Sequence, residues 1–136
     1  MNNPSFPVTL ILHQHPQQTH YDWLLWNPQK AQAAHPCETF QLLYPPNRWS
    51  SIKRFTAQKI SDHREHYLKY QGPISQHRGY VTPIDQGQYQ IIQWTPTQIQ
   101  IHIQLFEFQG QISFAKQKQC PSSTHWLVNC EKNNFS

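Results

Sequence analysis

The stretch Gln98-Ile99-Gln100-Ile101-His102-Ile103-Gln104-Leu105 alternates polar and apolar residues without interruption. Because successive side chains of a β-strand point to opposite faces, this alternation predicts an amphipathic strand over residues 98–106, with one face in a core and the other in solvent. Similar strand-like segments are predicted over residues 79–82, 88–94, 111–116 and 124–129. Turns are predicted between them at residues 85–87, 95–97 and 109–110. The second half of the chain is therefore predicted to form an antiparallel meander.

The first half of the chain carries the same signals. Strands are predicted over residues 8–12, 23–26, 38–44 and 52–60, the last with a basic face. Ser61 and Asp62 are predicted to cap a short helical segment that ends at Gly72 and Pro73. Roughly seven to nine short strands with almost no helix predict an all-β fold. We expect a small closed or nearly closed antiparallel β-barrel with one short helical segment, because closure removes exposed strand edges.

Length and composition limit the class of protein. The 136 residues are enough for one core, so we expect a single barrel domain over residues 1–136. No apolar run approaches the roughly 20 residues that span a bilayer, and the N-terminus lacks a signal-peptide pattern, which predicts a soluble, cytoplasmic protein without membrane partners. The net charge of +4 favours polyanionic partners. Cys37, Cys120 and Cys130 lack zinc-ribbon spacing and are predicted to be free thiols.

Imidazoles and a carboxylate are concentrated in one predicted hairpin. His13 and His15 follow its first strand, and His20 and Asp22 belong to its second strand. Strand alternation predicts that a tight hairpin brings all of these side chains to one side of one sheet. Neutral imidazoles with one carboxylate form a ligand set for manganese, iron or zinc. The alternative is a solvated hairpin rim without a metal.

Three ordered sets of residues carry a family resemblance. The first is Leu10-Ile11-Leu12-His13-Gln14-His15-Pro16 with His20-Tyr21-Asp22, the second is Asp62-His63-Arg64-Glu65-His66-Tyr67-Leu68-Lys69-Tyr70-Gln71-Gly72-Pro73-Ile74, and the third is Arg78-Gly79-Tyr80-Val81 with Asp85-Gln86-Gly87-Gln88-Tyr89. In this order they resemble the 3′-phosphoesterase domain of bacterial DNA ligase D, especially its short stand-alone relatives. The resemblance implies a compact β-barrel and a manganese-dependent hydrolase of DNA repair. Such an enzyme removes a 3′-terminal ribonucleoside and then hydrolyses the remaining 3′-phosphate.

The resemblance also assigns roles to individual residues. It implies that His15, His20 and Asp22 bind the metal, with manganese expected first and zinc or another transition metal as the alternative. It implies that His63 contacts the phosphate and that Tyr67 lies beside His63 in the pocket. The expected partners are DNA or RNA–DNA 3′ ends, with a separate ligase or polymerase as a further candidate, and the expected state is a monomer. His13, which stands where the family usually has glutamine, is a candidate substrate contact.

The chain departs from the family pattern at Leu24, where the family has a phosphate-binding arginine. A bidentate guanidinium suits a phosphate, so another arginine is expected to take this role. Arg78 is the first candidate because it precedes Gly79 in a turn that opens a predicted strand, and Arg48 and Arg54 are the others. The alternative for these arginines is solvated surface. Without a replacement, the loss of one such donor would cost about 2 to 4 kcal/mol of transition-state stabilisation.

Two other functions fit the same residues. His20, Asp22 and His63 also form a two-histidine, one-carboxylate set, as in a cupin-like metal oxygenase. A non-catalytic nucleic-acid-binding barrel would instead use basic residues and an exposed aromatic side chain, and the candidates are Lys53, Arg54, Lys59 and Trp49. The other tryptophans in strand segments are predicted to be core residues, namely Trp23, Trp26, Trp94 and Trp126.

Overall fold

Nine strands account for most of the computed structural model, which describes residues 3–117 and 124–133. The strands are β1 (Phe6–Gln14), β2 (Thr19–Trp26), β3 (Cys37–Leu42), β4 (Arg54–His63), β5 (Gly72–Pro73), β6 (Tyr80–Trp94), β7 (Gln98–Gln104), β8 (Gln109–Lys116) and β9 (His125–Lys132). The helical elements are the short helix α1 (Trp49–Ile52) and the 3-10 turns Pro28–Lys30, Pro46–Arg48 and Glu65–Leu68. Within these described ranges, no helix has the length and apolar character needed to cross a bilayer.

The strands close into an antiparallel barrel. Their order is β1-β2-β3-β4-β9-β8-β7-β6, and β6 pairs back onto β1, so eight strands complete the ring. Strand β5 adds a short pairing to the start of β6. Closure leaves the eight barrel strands without a free edge, and the predicted all-β barrel is confirmed.

The barrel interior is filled by the inward-facing residues of every barrel strand. In β7, Ile99, Ile101 and Ile103 are buried, which confirms the alternation that predicted this strand. Trp23 stacks on Trp49 with ring centroids 4.3 Å apart, and both side chains are fully buried. The expectation of an exposed Trp49 was wrong, because helix α1 directs this side chain into the core, where its Nε1 donates to the carbonyl of Tyr44.

A second apolar cluster lies on the outer face of the barrel wall. Ile11 of β1, Leu24 of β2 and Val81 of β6 are buried there under Leu68. Residues 64–79, which we call the covering segment, pass over this face. The carbonyl of Leu68 accepts hydrogen bonds from Thr9 Oγ1 at 2.8 Å and from the Gln86 side-chain amide at 2.9 Å. The covering segment is therefore fixed to the outside of the barrel, and a cavity forms along it.

Strand β6 is continuous, so the turn predicted at residues 85–87 was wrong. Asp85 is buried and its carboxylate accepts the backbone N–H groups of Phe106 and Glu107, each at 2.9 Å. A Cβ on Gly87 would lie 1.9 Å from the carbonyl oxygen of Gln104. The aspartate therefore caps a neighbouring turn and the glycine permits close strand approach. The predicted turn at residues 109–110 is likewise the start of β8.

The predicted helix cap at Ser61 and Asp62 was also wrong. Both residues belong to β4, and the 3-10 turn begins later, at Glu65. The carboxylate of Asp62 accepts hydrogen bonds from Lys30 at 2.7 Å and from Lys59 at 2.9 Å. Asp62 therefore pairs with two lysines and does not cap a helix. Strand β4 continues through it to His63.

The cysteine prediction is confirmed where the structure describes it. Cys37 and Cys130 are buried free thiols. Burial is the main cause that raises the pKa of each thiol to about 12. Cys120 lies outside the described residues.

Candidate functional site

The first hairpin sets the register of the candidate site. Strand β1 ends at Gln14, β2 begins at Thr19, and His13 pairs directly with His20. Asp22 pairs with Ile11, so its side chain and those of the two histidines share the outer face of the barrel wall. The prediction that this hairpin gathers imidazoles and a carboxylate on one side is confirmed for His13, His20 and Asp22.

These residues form a compact group of potential metal ligands. His13 Nδ1 lies 3.3 Å from Asp22 Oδ2, and His20 Nε2 lies 3.2 Å from Asp22 Oδ1. One donor atom from each residue lies within 4.8 Å of the other two. Asp22 is 2% exposed and His20 is 9% exposed. A carboxylate at this depth requires a positive partner, since an unpaired buried charge is costly.

The second ring nitrogen of His13 is also engaged. His13 Nε2 lies 2.8 Å from the backbone carbonyl oxygen of Arg78. A carbonyl can only accept, so Nε2 carries the hydrogen and a neutral His13 keeps its lone pair on Nδ1. That lone pair lies on the side of Asp22. Metal-binding histidines commonly donate their other N–H group to a carbonyl in this way.

The charges within the group perturb each other. Burial would raise the pKa of Asp22, but the imidazoles of His13 and His20 outweigh burial, and the pKa of Asp22 is lowered. The hydrogen bond to Asp22 is the main cause that raises the pKa of His13, against the opposing effect of burial. The carboxylate is therefore ionised, and a positive charge beside it is stabilised.

The donor set fits a divalent metal. Among the described residues, His20 Nδ1 is a buried side-chain atom without a hydrogen-bond partner. Asp22 Oδ1 is also buried, and it forms an ion-pair contact of 3.2 Å with His20 Nε2 but no hydrogen bond of good geometry. With ligand bonds of about 2.0 to 2.2 Å, neighbouring donors of a tetrahedral or octahedral ion lie about 3.0 to 3.5 Å apart. Each imidazole lies at this spacing from one oxygen of Asp22, His13 Nδ1 at 3.3 Å from Oδ2 and His20 Nε2 at 3.2 Å from Oδ1. With one donor atom taken from each residue, the three donors lie within 4.8 Å of one another. Two imidazoles and a carboxylate suit manganese, iron or zinc.

His15 lies beside this group but outside it. Its Nδ1 accepts a hydrogen bond from the backbone N–H of Gln17 at 3.1 Å, and its ring centroid lies 5.6 Å from that of His13. The sequence predicted His15 as a ligand and His13 as a substrate contact, whereas the structure places His13 in the compact group. The ligand role of His15 stays a prediction, for which only its Nε2 is available.

A cavity of about 640 Å³ connects this group with other predicted residues. His63, Tyr67 and Arg78 line the same cavity as His15, His20 and Asp22. His63 Nδ1 lies 3.0 Å from the carbonyl oxygen of Ser61, so Nδ1 carries the hydrogen and Nε2 is free to exchange a proton. The His63 and Tyr67 ring centroids lie 5.6 Å apart in an edge-to-face arrangement.

Two arginines reach the cavity. Arg78 Nε donates to the carbonyl of Ser75 at 2.9 Å, and its Nη2 donates to Ser75 Oγ at 3.1 Å. Arg64 Nε donates to His35 Nε2 at 3.4 Å. Sequence reasoning named Arg78 but missed Arg64 and His35, although Arg64 directly follows His63. Leu24 is fully buried in the outer cluster, so an arginine at this position would displace core packing.

Arg48 and Arg54 do not line this cavity. Arg54 begins β4 and His63 ends it, and a strand of 10 residues spans about 30 Å at about 3.3 Å per residue. The Arg48 guanidinium lies over the Tyr44 ring, 5.6 Å from its centroid. The structure therefore does not bring either residue to the site.

An ion-pair network supports the wall of the cavity beside His63. Lys30 contacts Glu38 and Asp62, and Lys59 contacts the same carboxylates at 3.3 and 2.9 Å. Burial would raise the pKa of Asp62, but the lysines outweigh it, and the pKa is lowered. Two lysines balance two carboxylates, so the network adds little net charge to the cavity.

Comparison with known proteins gives no assignment. No family model matches the chain, and no curated protein matches it.

Proposed function

We propose that the protein is a metal-dependent phosphoesterase that acts on the 3′ ends of nucleic acids. The observation that carries the proposal is one cavity that joins His13, His20 and Asp22 to His63 and to arginine side chains. Such a combination supplies a metal position, a proton donor and anion-binding groups, which are the components that phosphate ester hydrolysis requires.

In this proposal His13 Nδ1, His20 and Asp22 bind manganese or zinc. When bound, the metal neutralises charge on the phosphate oxygens and activates water. The chain contributes a buried carboxylate that is already ionised and a His13 ring whose orientation the Arg78 carbonyl holds. His15, which lines the same cavity, is available as a further ligand or as a donor to the substrate.

His63 is proposed as the general acid. The Ser61 carbonyl holds the proton on Nδ1, so the proton that reaches the substrate is the one on Nε2 of the imidazolium. Water forms the new bond to phosphorus, the bond from phosphorus to the 3′ oxygen breaks, and His63 gives its Nε2 proton to that oxygen. An imidazole suits this step because histidine is the side chain that most often serves as a general acid in enzymes. Tyr67 positions the ring by edge-to-face contact.

Arg64 and Arg78 favour a substrate with negative charge. Asp22 and Asp62 are the acidic residues that line the cavity, and Asp62 is already paired with lysines. The two guanidinium groups therefore leave a positive cavity even before a metal binds. A terminal phosphate carries more charge than an internal phosphodiester, so it benefits most from this charge and from bidentate guanidinium contacts.

The choice of nucleic-acid 3′ ends rests on the ordered motifs that resemble the ligase D phosphoesterase domain. The positive net charge of the chain agrees with a polyanionic partner. End healing in DNA repair, with a separate ligase or polymerase acting afterwards, follows from the same resemblance. A monomer is sufficient, because every proposed site residue comes from one chain.

The decisive test is incubation of the pure protein with 3′-phosphate and 3′-ribonucleotide primer-templates across a series of manganese, zinc and magnesium. We expect manganese-dependent conversion of the 3′-phosphate to a 3′-hydroxyl, which a chelator stops. A 5′-phosphate primer is the matched control. Failure of every metal to release phosphate from the 3′ end contradicts the proposal.

A metal oxygenase is the second candidate, because the compact group is itself a two-histidine, one-carboxylate set. Anaerobic iron binding followed by turnover of 2-oxoglutarate in air would favour it. The non-catalytic binding barrel has less support. Lys59 is paired with carboxylates and Trp49 is fully buried, so neither is free for nucleic-acid contact.

A further inference from the structure

The turn that carries Arg78 has an unusual backbone. Gln76 and His77 both adopt left-handed conformations, with φ of 62° and 57°. A hydrogen bond of 2.7 Å from the backbone N–H of Ile74 to the carbonyl of Gly79 closes the turn. Such conformations cost free energy in residues other than glycine and persist only where surrounding contacts fix them. The strained backbone of this turn is therefore maintained by its contacts with neighbouring residues.

Gly79 allows the turn to lie directly against β1. Its φ is 99°, and a Cβ at this position would lie 2.1 Å from the carbonyl oxygen of Gln14. Only glycine combines this φ with such close approach. The approach places the carbonyl of Arg78 at 2.8 Å from His13 Nε2. The Arg78 side chain folds back onto Ser75, which further fixes the turn.

We infer that the turn of residues 75–79 is a positioning device for the metal site. Its Arg78 carbonyl keeps the hydrogen of His13 on Nε2 and thereby makes Nδ1, on the side of Asp22, the metal-binding atom. This inference rests on the metal site of the proposed function and deepens it. It assigns His13 as a ligand, a position where the resembling family usually has glutamine. In this inference the backbone carbonyl of Arg78 orients the metal-binding ring of His13, while the Arg78 guanidinium binds the phosphate.

Zinc is a suitable probe because it is diamagnetic. Long-range nitrogen–proton NMR of the histidine rings in the whole chain identifies which nitrogen carries hydrogen. Before zinc is added, we expect the neutral ring of His13 to carry its hydrogen on Nε2. Zinc is expected to shift the Nδ1 resonance and leave the Nε2 hydrogen in place. A neutral His13 ring with hydrogen on Nδ1 and none on Nε2, or a His13 ring that zinc does not affect, overturns the inference.

Gly79→Ala tests the turn itself. The new methyl group must push the turn away from Gln14, and loss of an outer-shell partner lowers metal affinity by about 10- to 100-fold. Gly110→Ala is the matched control, since its Cβ would lie 2.2 Å from the carbonyl of Glu131, on β8 and outside the cavity. Calorimetry should show unchanged zinc affinity in this control. Equal affinity in both folded variants contradicts the inference.

Two substitutions of His13 keep the test decisive if Gly79→Ala does not fold. His13→Asn places an amide oxygen near the Nδ1 position, whereas His13→Gln keeps a donor toward the Arg78 carbonyl but supplies no atom at the Nδ1 position. We expect zinc affinity to fall further in His13→Gln than in His13→Asn, because only asparagine keeps a potential ligand atom near the Nδ1 position. The reverse order overturns the inference. Zinc binding through His13 without phosphatase activity would contradict only the phosphoesterase proposal.

Discussion

His13 Nδ1 lies 3.3 Å from Asp22 Oδ2 because two strands joined by a short turn place both residues on the outer face of the barrel. The contact connects a half-buried ring to a buried carboxylate. The Arg78 carbonyl orients the ring from its other side. The register of one hairpin therefore determines both the pairing of β1 with β2 in the barrel and the grouping of His13 with Asp22.

Asp22→Asn should abolish metal binding without unfolding the barrel. Asparagine has nearly the same shape as aspartate but lacks the charge that attracts a divalent ion. Loss of an outer-shell partner lowers metal affinity by up to roughly 100-fold. Asp22 is a proposed direct ligand, so we expect manganese affinity to fall by more than this. Calorimetry measures the affinity, and circular dichroism checks the fold. Stoichiometric manganese binding at wild-type affinity in a folded Asp22→Asn protein would remove the proposed centre.

His63→Gln should separate catalysis from metal binding. Glutamine can still donate a hydrogen bond but cannot serve as an acid near neutral pH. Loss of a general acid lowers kcat by about 10²- to 10⁴-fold. Manganese affinity is expected to stay near the wild-type value, because the proposed ligands are unchanged. The 3′-phosphatase assay measures kcat. A kcat of His63→Gln within about 3-fold of the wild-type value would argue against His63 as the general acid.

Arg78→Gln should weaken substrate binding, whereas Arg54→Gln should not. Arg78 lines the cavity and Arg54 lies at the far end of β4. A hydrogen bond to a charged group contributes about 1.5 to 3 kcal/mol, so we expect KM for a 3′-phosphate primer to rise about 10- to 100-fold in Arg78→Gln. Equal KM values in the two variants would show that Arg78 does not bind the phosphate.

The sequence predicted the barrel and the grouping of His13, His20 and Asp22 because both depend on the alternation of side chains along a β-strand. Strict alternation marks β7, and the same rule places His13, His20 and Asp22 on one face. The resemblance added His63 and Tyr67, which line the same cavity. These predictions needed only strand parity and motif order.

Other features depend on contacts between distant segments. Asp85 and Gly87 have the composition of a turn, yet one caps the turn before β8 and the other permits close strand packing. Arg64 and His35 meet only after the loop before β3 folds against the end of β4. Local sequence contains no signal for such pairings. The position of His13 beside Asp22 likewise depends on a distant segment, because the Arg78 carbonyl contacts the other side of its ring.

Trp49→Ala should destabilise the barrel rather than weaken nucleic-acid contact. The indole is fully buried and stacks on Trp23. Truncation of a buried aromatic side chain costs about 3 to 5 kcal/mol of unfolding free energy, and Trp49→Phe should cost less. Urea denaturation measures both values. A stable Trp49→Ala protein that loses affinity for single-stranded DNA would instead support a stacking role.

Asp62→Asn should change how stability depends on pH. Because the folded-state pKa of Asp62 is lowered by Lys30 and Lys59, its ion pairs stabilise the fold above the ordinary aspartate pKa of about 3.9 and are lost as pH falls through the lower folded value. Wild type should therefore exceed Asp62→Asn by about 1 kcal/mol of unfolding free energy between pH 5 and 8. Urea titrations should show this difference shrinking toward pH 2.

Glu107→Gln, which alters an exposed carboxylate, is the control. A difference that stays constant down to pH 2 would mean that Asp62 contributes by packing and not by charge.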